Sequence, residues 1–220
     1  MFLAATLAGS LMLARPVLGS FELPCVDDIW VYPHSFDQTD GSLRAWGSGG
    51  RSVPDGKEAG SISWSCLKFD VSSLPESAKI SRAKLVIFFP SAPTFTNDQA
   101  KAAPLEVRSV SAEFEEETFK FGFADKVFPK AGDEGLFGSG SPDLVDNADQ
   151  PHRFEIDLLK GKGDFAKALT AARMTQNKQV AIALTSKIDP EEAGDGGVYK
   201  LFSCNAEKGV RPVLVIDAGN

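Results

Sequence analysis

Arg44 and Trp46 stand two residues apart, and Trp64, Cys66 and Lys68 repeat that interval further along the chain. In extended backbone this spacing puts side chains on one face. Leu43 and Ala45 alternate with the first pair, and Leu67 and Phe69 alternate with the second set. If the apolar positions turn inward, Arg44, Trp46, Trp64, Cys66 and Lys68 turn outward. An indole beside a cation suits a sugar. The flat ring stacks on axial C–H groups, while the cation bonds hydroxyls or a uronate carboxylate. Tyr199 and Lys200 are further outer candidates. An outward Trp that binds nothing needs a cover. The loop 47–60, rich in Gly, Ser and Pro, and the helix described below could each supply one.

Trp30, Tyr32 and His34 form a second set on one face, opposite Ile29 and Val31. Tyr and His so close on a strand could act as acid and base in a polysaccharide lyase, with Arg44 or Arg51 as the neutraliser of the uronate. The plainer reading buries Trp30 and Tyr32 and leaves His34 in solvent, and no catalytic residue is assigned. Two His and three scattered Cys give no zinc spacing. Asp28, Asp37, Asp40 and Asp195 offer hard oxygens for a structural calcium ion, and no other cofactor is expected. Motifs for a hydrolase nucleophile or for nucleotide phosphates are absent.

The elements that position these residues read mainly as strands. Ser63 to Phe89 is strand, polar corner, strand. The corner Ser72-Ser73-Leu74-Pro75 ends the first ladder, because Pro75 has no N–H to donate. Further strands are predicted at Asp27–Tyr32, Ser42–Trp46, Leu105–Val110, Arg153–Leu158, Gln179–Thr185, Val198–Ser203 and Val213–Asp217. Phe119, Phe121 and Phe123 also alternate with polar neighbours. Phe165, Ala168, Leu169 and Ala172 fall at i, i+3, i+4 and i+7, so Asp164–Met174 is predicted as the one helix. The stretches 90–103 and 129–151 read as connectors. The whole predicts an all-β fold: an antiparallel, jelly-roll-like β-sandwich with one short crossover helix, forming a single domain over 21–220.

The chain has 220 residues, 16 of them Phe, which buries well and has no polar handle. Its net charge of −7 argues against nucleic acid, whose affinity depends on phosphate neutralisation. Residues 1–20 read as a secretory signal, with an apolar run from Phe2 to Ala14 and a cut near Ser20; the alternative is a buried first strand or helix. No later segment is long and apolar enough to span a membrane as a helix. Cys25, Cys66 and Cys204 allow three pairings. Cys66–Cys204 is favoured because both fall in predicted strands, and three separate thiols are the alternative.

Several segments, in order, resemble the DNRLRE-type β-sandwich domains, a group that includes alginate-binding carbohydrate-binding modules. They are Asp28-Ile29-Trp30-Val31, Asp40-Gly41-Ser42-Leu43-Arg44, Leu67-Lys68-Phe69-Asp70 with Ser73-Leu74-Pro75, Ala83-Lys84-Leu85, Phe114 to Phe121, Phe154-Glu155-Ile156-Asp157 and Arg211-Pro212-Val213-Leu214. Two departures stand out. Cys204 occupies a place where the family often has Arg, and Phe114 and Phe121 occupy places where it usually has Trp. The resemblance implies a secreted, extracellular or cell-surface, non-catalytic module whose partner is a polysaccharide or cell-surface glycan. The alternatives are a structural module of the cell surface or extracellular matrix, and a polysaccharide lyase.

Overall fold

The computed structural model describes residues 17–32, 42–91, 94–143, 151–194 and 196–219. Ten strands carry the fold: β1 (Val17–Val31), β2 (Ser42–Ala45), β3 (Trp64–Asp70), β4 (Lys79–Phe89), β5 (Leu105–Ser109), β6 (Leu136–Gly140), β7 (His152–Asp157), β8 (Gln179–Ser186), β9 (Tyr199–Phe202) and β10 (Val213–Gly219). Eight of them form one sheet in the order β6-β5-β8-β3-β1-β10-β4-β7, and β2 pairs with β9 in a small second sheet. Every pairing is antiparallel. The all-β expectation is borne out.

The large sheet folds back on itself through β1. The first half of that strand pairs with β10, and the second half pairs with β3 after a register shift between Cys25 and Asp27. Such a bulge bends a strand and sharpens its twist. The ends of the sheet, β6 and β7, come together to give a near-barrel. Gly138 permits the approach, since a Cβ there would collide with the carbonyl oxygen of Asp157.

The main core fills the space enclosed by this sheet. Leu67 and Phe69 of β3, Leu85 and Ile87 of β4, Ile182 and Leu184 of β8, and Leu214 and Ile216 of β10 are all buried there. Leu43 and Ala45 of β2 face it, as do Tyr199 and Leu201 of β9, so the small sheet covers one side of the core.

Helix α2 (Phe165–Arg173) crosses from β7 to β8, as its apolar stripe predicts. Phe165, Leu169 and Ala172 are buried, and Asp164 caps the N-terminus by accepting from the Lys167 amide at 2.8 Å. Two further short helices, α1 (Asn97–Ala102) and α3 (Pro190–Ala193), were not expected. Helix α1 begins with a capping box, in which Thr96 and Gln99 satisfy each other's backbone amides.

Other expectations are corrected. The alternating phenylalanines do not form a strand. Residues 110–128 cross the outer face of β3, β1 and β8 as a roof containing two 3₁₀ turns, Glu116–Thr118 and Phe121–Val127. Phe114, Phe119, Phe121 and Phe128 of this roof pack down onto the sheet face rather than extending a ladder, and β3 beneath it is paired with both β1 and β8. Roof and sheet enclose a second core of Ile29, Val31, Trp64, Cys66, Phe114 and Val127.

The disulfide joins Cys25 to Cys204, not Cys66 to Cys204. Cys66 is a free thiol in the second core, on the opposite face of the sheet from Cys204 in the main core. The predicted signal boundary near Ser20 falls inside β1, where Ser20 pairs with Asp217. Among the described residues, no helix is long and apolar enough to cross a membrane.

Candidate functional site

The outer face of the small sheet carries the cations. Arg44 of β2 lies directly opposite Lys200 of β9, and both alternate with residues buried in the main core. Trp46 continues the outward series of β2. Its backbone exchanges two hydrogen bonds of 3.1 Å with Ser63, just before β3. The next residue must be glycine, because a Cβ on Gly47 would collide with the carbonyl oxygens of Arg51 and Ser186. The Gly47 amide donates to Ile188 at 2.7 Å. The Trp46 backbone is thus pinned from two sides.

The end of β1 completes the group. Ile29 and Val31 point into the second core, so alternation sends Trp30 the other way, toward β2. The Trp30 indole N–H donates to the Ser63 hydroxyl. Ser65 ties β2 to β3, accepting from the Arg44 amide at 3.1 Å and donating to the Arg44 carbonyl at 2.8 Å.

Three rings and a guanidinium meet as a result. The Arg44 guanidinium lies 4.2 Å from the centroid of Trp30. Trp30 and Tyr32 stack with centroids 5.7 Å apart and an interplanar angle of 14°. Trp46 presents itself edgewise to both, at 6.1 Å from Trp30 and 4.8 Å from Tyr32. All four side chains are half-buried, and Lys200 beside them is exposed. A cation over an aromatic face is worth about 0.5–2 kcal/mol, so the cluster is partly preorganised. Two sets that sequence alternation kept apart, Arg44 with Trp46 and Trp30 with Tyr32, are one platform. His34 lies outside the described residues.

Three of the six expected binding residues are interior, as is Cys66. Trp64 is 0% exposed; its indole N–H donates to the Val127 carbonyl at 3.0 Å, and its ring meets the Phe128 edge at 5.5 Å. Lys68 is buried under the roof, paired with Asp27 at 2.9 Å and donating to the Phe114 carbonyl. Alternation gave the right face for both, but the roof covers that face. Tyr199 is 0% exposed and donates to the Ala103 carbonyl at 3.0 Å, and burial raises its hydroxyl pKa well above the usual value.

Of the four calcium candidates, only Asp28 is among the described residues. Asp37, Asp40 and Asp195 lie outside the described residues. Asp28 is buried, accepts from the Cys204 amide, and is grouped with the sulfurs of Cys25 and Cys204. Those sulfurs are bonded to each other, and calcium takes oxygen ligands, so this donor set does not suit it. Burial pushes the Asp28 carboxyl up to about 7, against the opposing hydrogen bond from Cys204. Burial also raises the Cys66 thiol far above its ordinary value.

Sequence reasoning missed a groove of about 810 Å³ between the roof and the turn after α2. Phe119 and Phe123 line it from the roof, and Gln176, Asn177 and Gln179 line it from the turn. The roof wall is a 3₁₀ turn and loop in spite of the alternation of Phe119, Phe121 and Phe123, and the facing turn at 175–178 carries no period to detect. No family model matches the chain, and no curated protein matches its sequence.

Proposed function

We propose that the protein is a secreted, non-catalytic module that binds an extracellular polysaccharide, with a preference for an anionic one. The platform of Trp30, Tyr32, Trp46 and Arg44 carries the reading, and the guanidinium held 4.2 Å over an indole is its central observation. The rings offer faces and edges to sugar C–H groups. Arg44 can engage a uronate carboxylate with two parallel hydrogen bonds, and Lys200 adds a second positive charge on the same face. The ordered motifs resembling alginate-binding modules support the same ligand class. An open platform of this kind fits millimolar to micromolar affinity, about −4 to −8 kcal/mol.

Calorimetric titration with oligouronates tests the reading. The intact protein should bind them, and Trp46→Ala should weaken binding at least tenfold, about 1.4 kcal/mol, in protein that remains folded by circular dichroism at the titration temperature. Arg44→Lys keeps the charge and loses the fork, so it should weaken uronate binding more than binding of an uncharged chain. Absence of binding to any uronate polymer would favour a structural module with a protein partner. An absorbance rise from newly formed unsaturated uronate would make the protein a lyase.

A further inference from the structure

The groove beneath the roof is separate from the platform, on the other face of β3. Its floor includes Lys68, whose ammonium is held by Asp27 and the Phe114 carbonyl. Its walls differ in chemistry. The roof supplies Phe119, half-buried, and Phe123, 46% exposed, with Lys126 5.1 Å from the Phe123 centroid. The opposite wall is the turn from Thr175 to Gln179. Within it Lys178 adopts φ +47°, a left-handed conformation costly for a residue with a Cβ. That geometry is fixed by the Lys178 amide bonding both the carbonyl and the hydroxyl of Thr175, and by the Val71 amide bonding the Lys178 carbonyl. The strained turn thus holds Gln176, Asn177 and Gln179 in one wall of the groove.

Amides both donate and accept, as a sugar hydroxyl does. Glu113 and Glu115 on the rim accept from hydroxyls and repel an acidic ligand. A peptide adding as a further strand would need a free edge, and β3 beneath the groove is paired with β1 on one side and β8 on the other.

We propose that this groove is a second binding site, for an uncharged oligosaccharide, distinct from the platform that takes an anionic chain. The sugar face lies against Phe123 and Phe119, and its hydroxyls bond the amides of Gln176, Asn177 and Gln179. This goes beyond the proposed function, and the two sites can fail independently.

The test is calorimetric titration of the intact protein with cellohexaose, xylohexaose and mannohexaose, backed by amide chemical-shift mapping. At least one should bind and perturb residues 113–126 and 175–179. Phe123→Ala and Asn177→Ala should each weaken that binding about tenfold, and Trp46→Ala should leave it unchanged. Both substituted groove residues are exposed, so equal melting temperatures certify the fold. The proposal is overturned if none of the three hexasaccharides binds. It is equally overturned if binding survives both groove substitutions, or if Trp46→Ala abolishes it. Shift changes produced by a peptide library and by none of the sugars would reassign the groove to a protein partner.

Discussion

Lys68 and Asp27 face each other on paired strands, with the ammonium nitrogen 2.9 Å from a carboxylate oxygen, and together they fasten the roof to the sheet. The other Asp27 oxygen accepts from the Glu116 amide at 3.2 Å, and Lys68 donates to the Phe114 carbonyl. One ion pair therefore holds the roof at two points. Lys68→Ala leaves a largely buried carboxylate and an uncapped carbonyl, and should cost about 3 kcal/mol in urea unfolding. It should also quicken the reaction of Cys66 with a thiol reagent under native conditions. Unchanged protection of Cys66 would mean that the apolar contacts alone hold the roof.

Trp64 is a measure of the second core. Its ring fills the space under Val127 and Phe128, so Trp64→Ala should destabilise the protein by about 3–5 kcal/mol. The ligand affinity of the remaining folded fraction should not change. Ligand affinity lost at full stability would return Trp64 to the binding face.

Asp28 makes stability depend on pH with a definite sign. Its folded-state pKa of about 7 stands above the ordinary 3.8, so the folded protein holds this proton more tightly than the unfolded chain. The associated stability is complete below pH 4, declines as pH rises, and is gone above about pH 7. Three pH units correspond to at most about 4 kcal/mol. Glu116, raised first by its burial, adds a contribution of the same sign. Asp28→Asn keeps an acceptor for the Cys204 amide and removes the charge. Its stability relative to the parent should therefore increase between pH 4 and pH 7. A difference that stays flat over this interval would show that Asp28 ionises freely in the fold.

The Cys25–Cys204 bridge spans a sequence separation of 179. Chain-entropy arithmetic for so long a loop gives about 5 kcal/mol. Reduction, or replacement of both residues by Ser, should lower the urea midpoint accordingly. Non-reduced peptide mapping should recover Cys25 linked to Cys204, with one thiol, Cys66, titratable only after unfolding.

Particular residues show what the sequence could reveal. Leu43 and Ala45 set the faces of β2 correctly, because that strand lies with one side on the core and period two records this directly. The α2 stripe did the same at a helical period. At Trp64 alternation found the side of the sheet but not its cover, since residues 110–128 are distant in sequence and their alternating phenylalanines belong to a 3₁₀ turn and its approach rather than to a strand. The Cys66–Cys204 expectation treated strand membership as proximity, although the two residues sit on opposite faces. Helix α1 left a readable sign in Thr96 and Gln99, the ends of a capping box. The platform joins the end of β1 to β2 through Ser63 and Ser65, a meeting set by tertiary packing that neither strand's own pattern records.

The fifteen residues of β1 belong to both halves of the large sheet, a fact with mechanical consequences. A pull applied along this strand from its leading end runs parallel to the β10 and β3 registers and sets their ladder bonds in shear together. Bonds loaded side by side share tension that a peeling edge would meet one at a time. The strand that carries Trp30 should thus keep its anchorage under a load drawn along its axis.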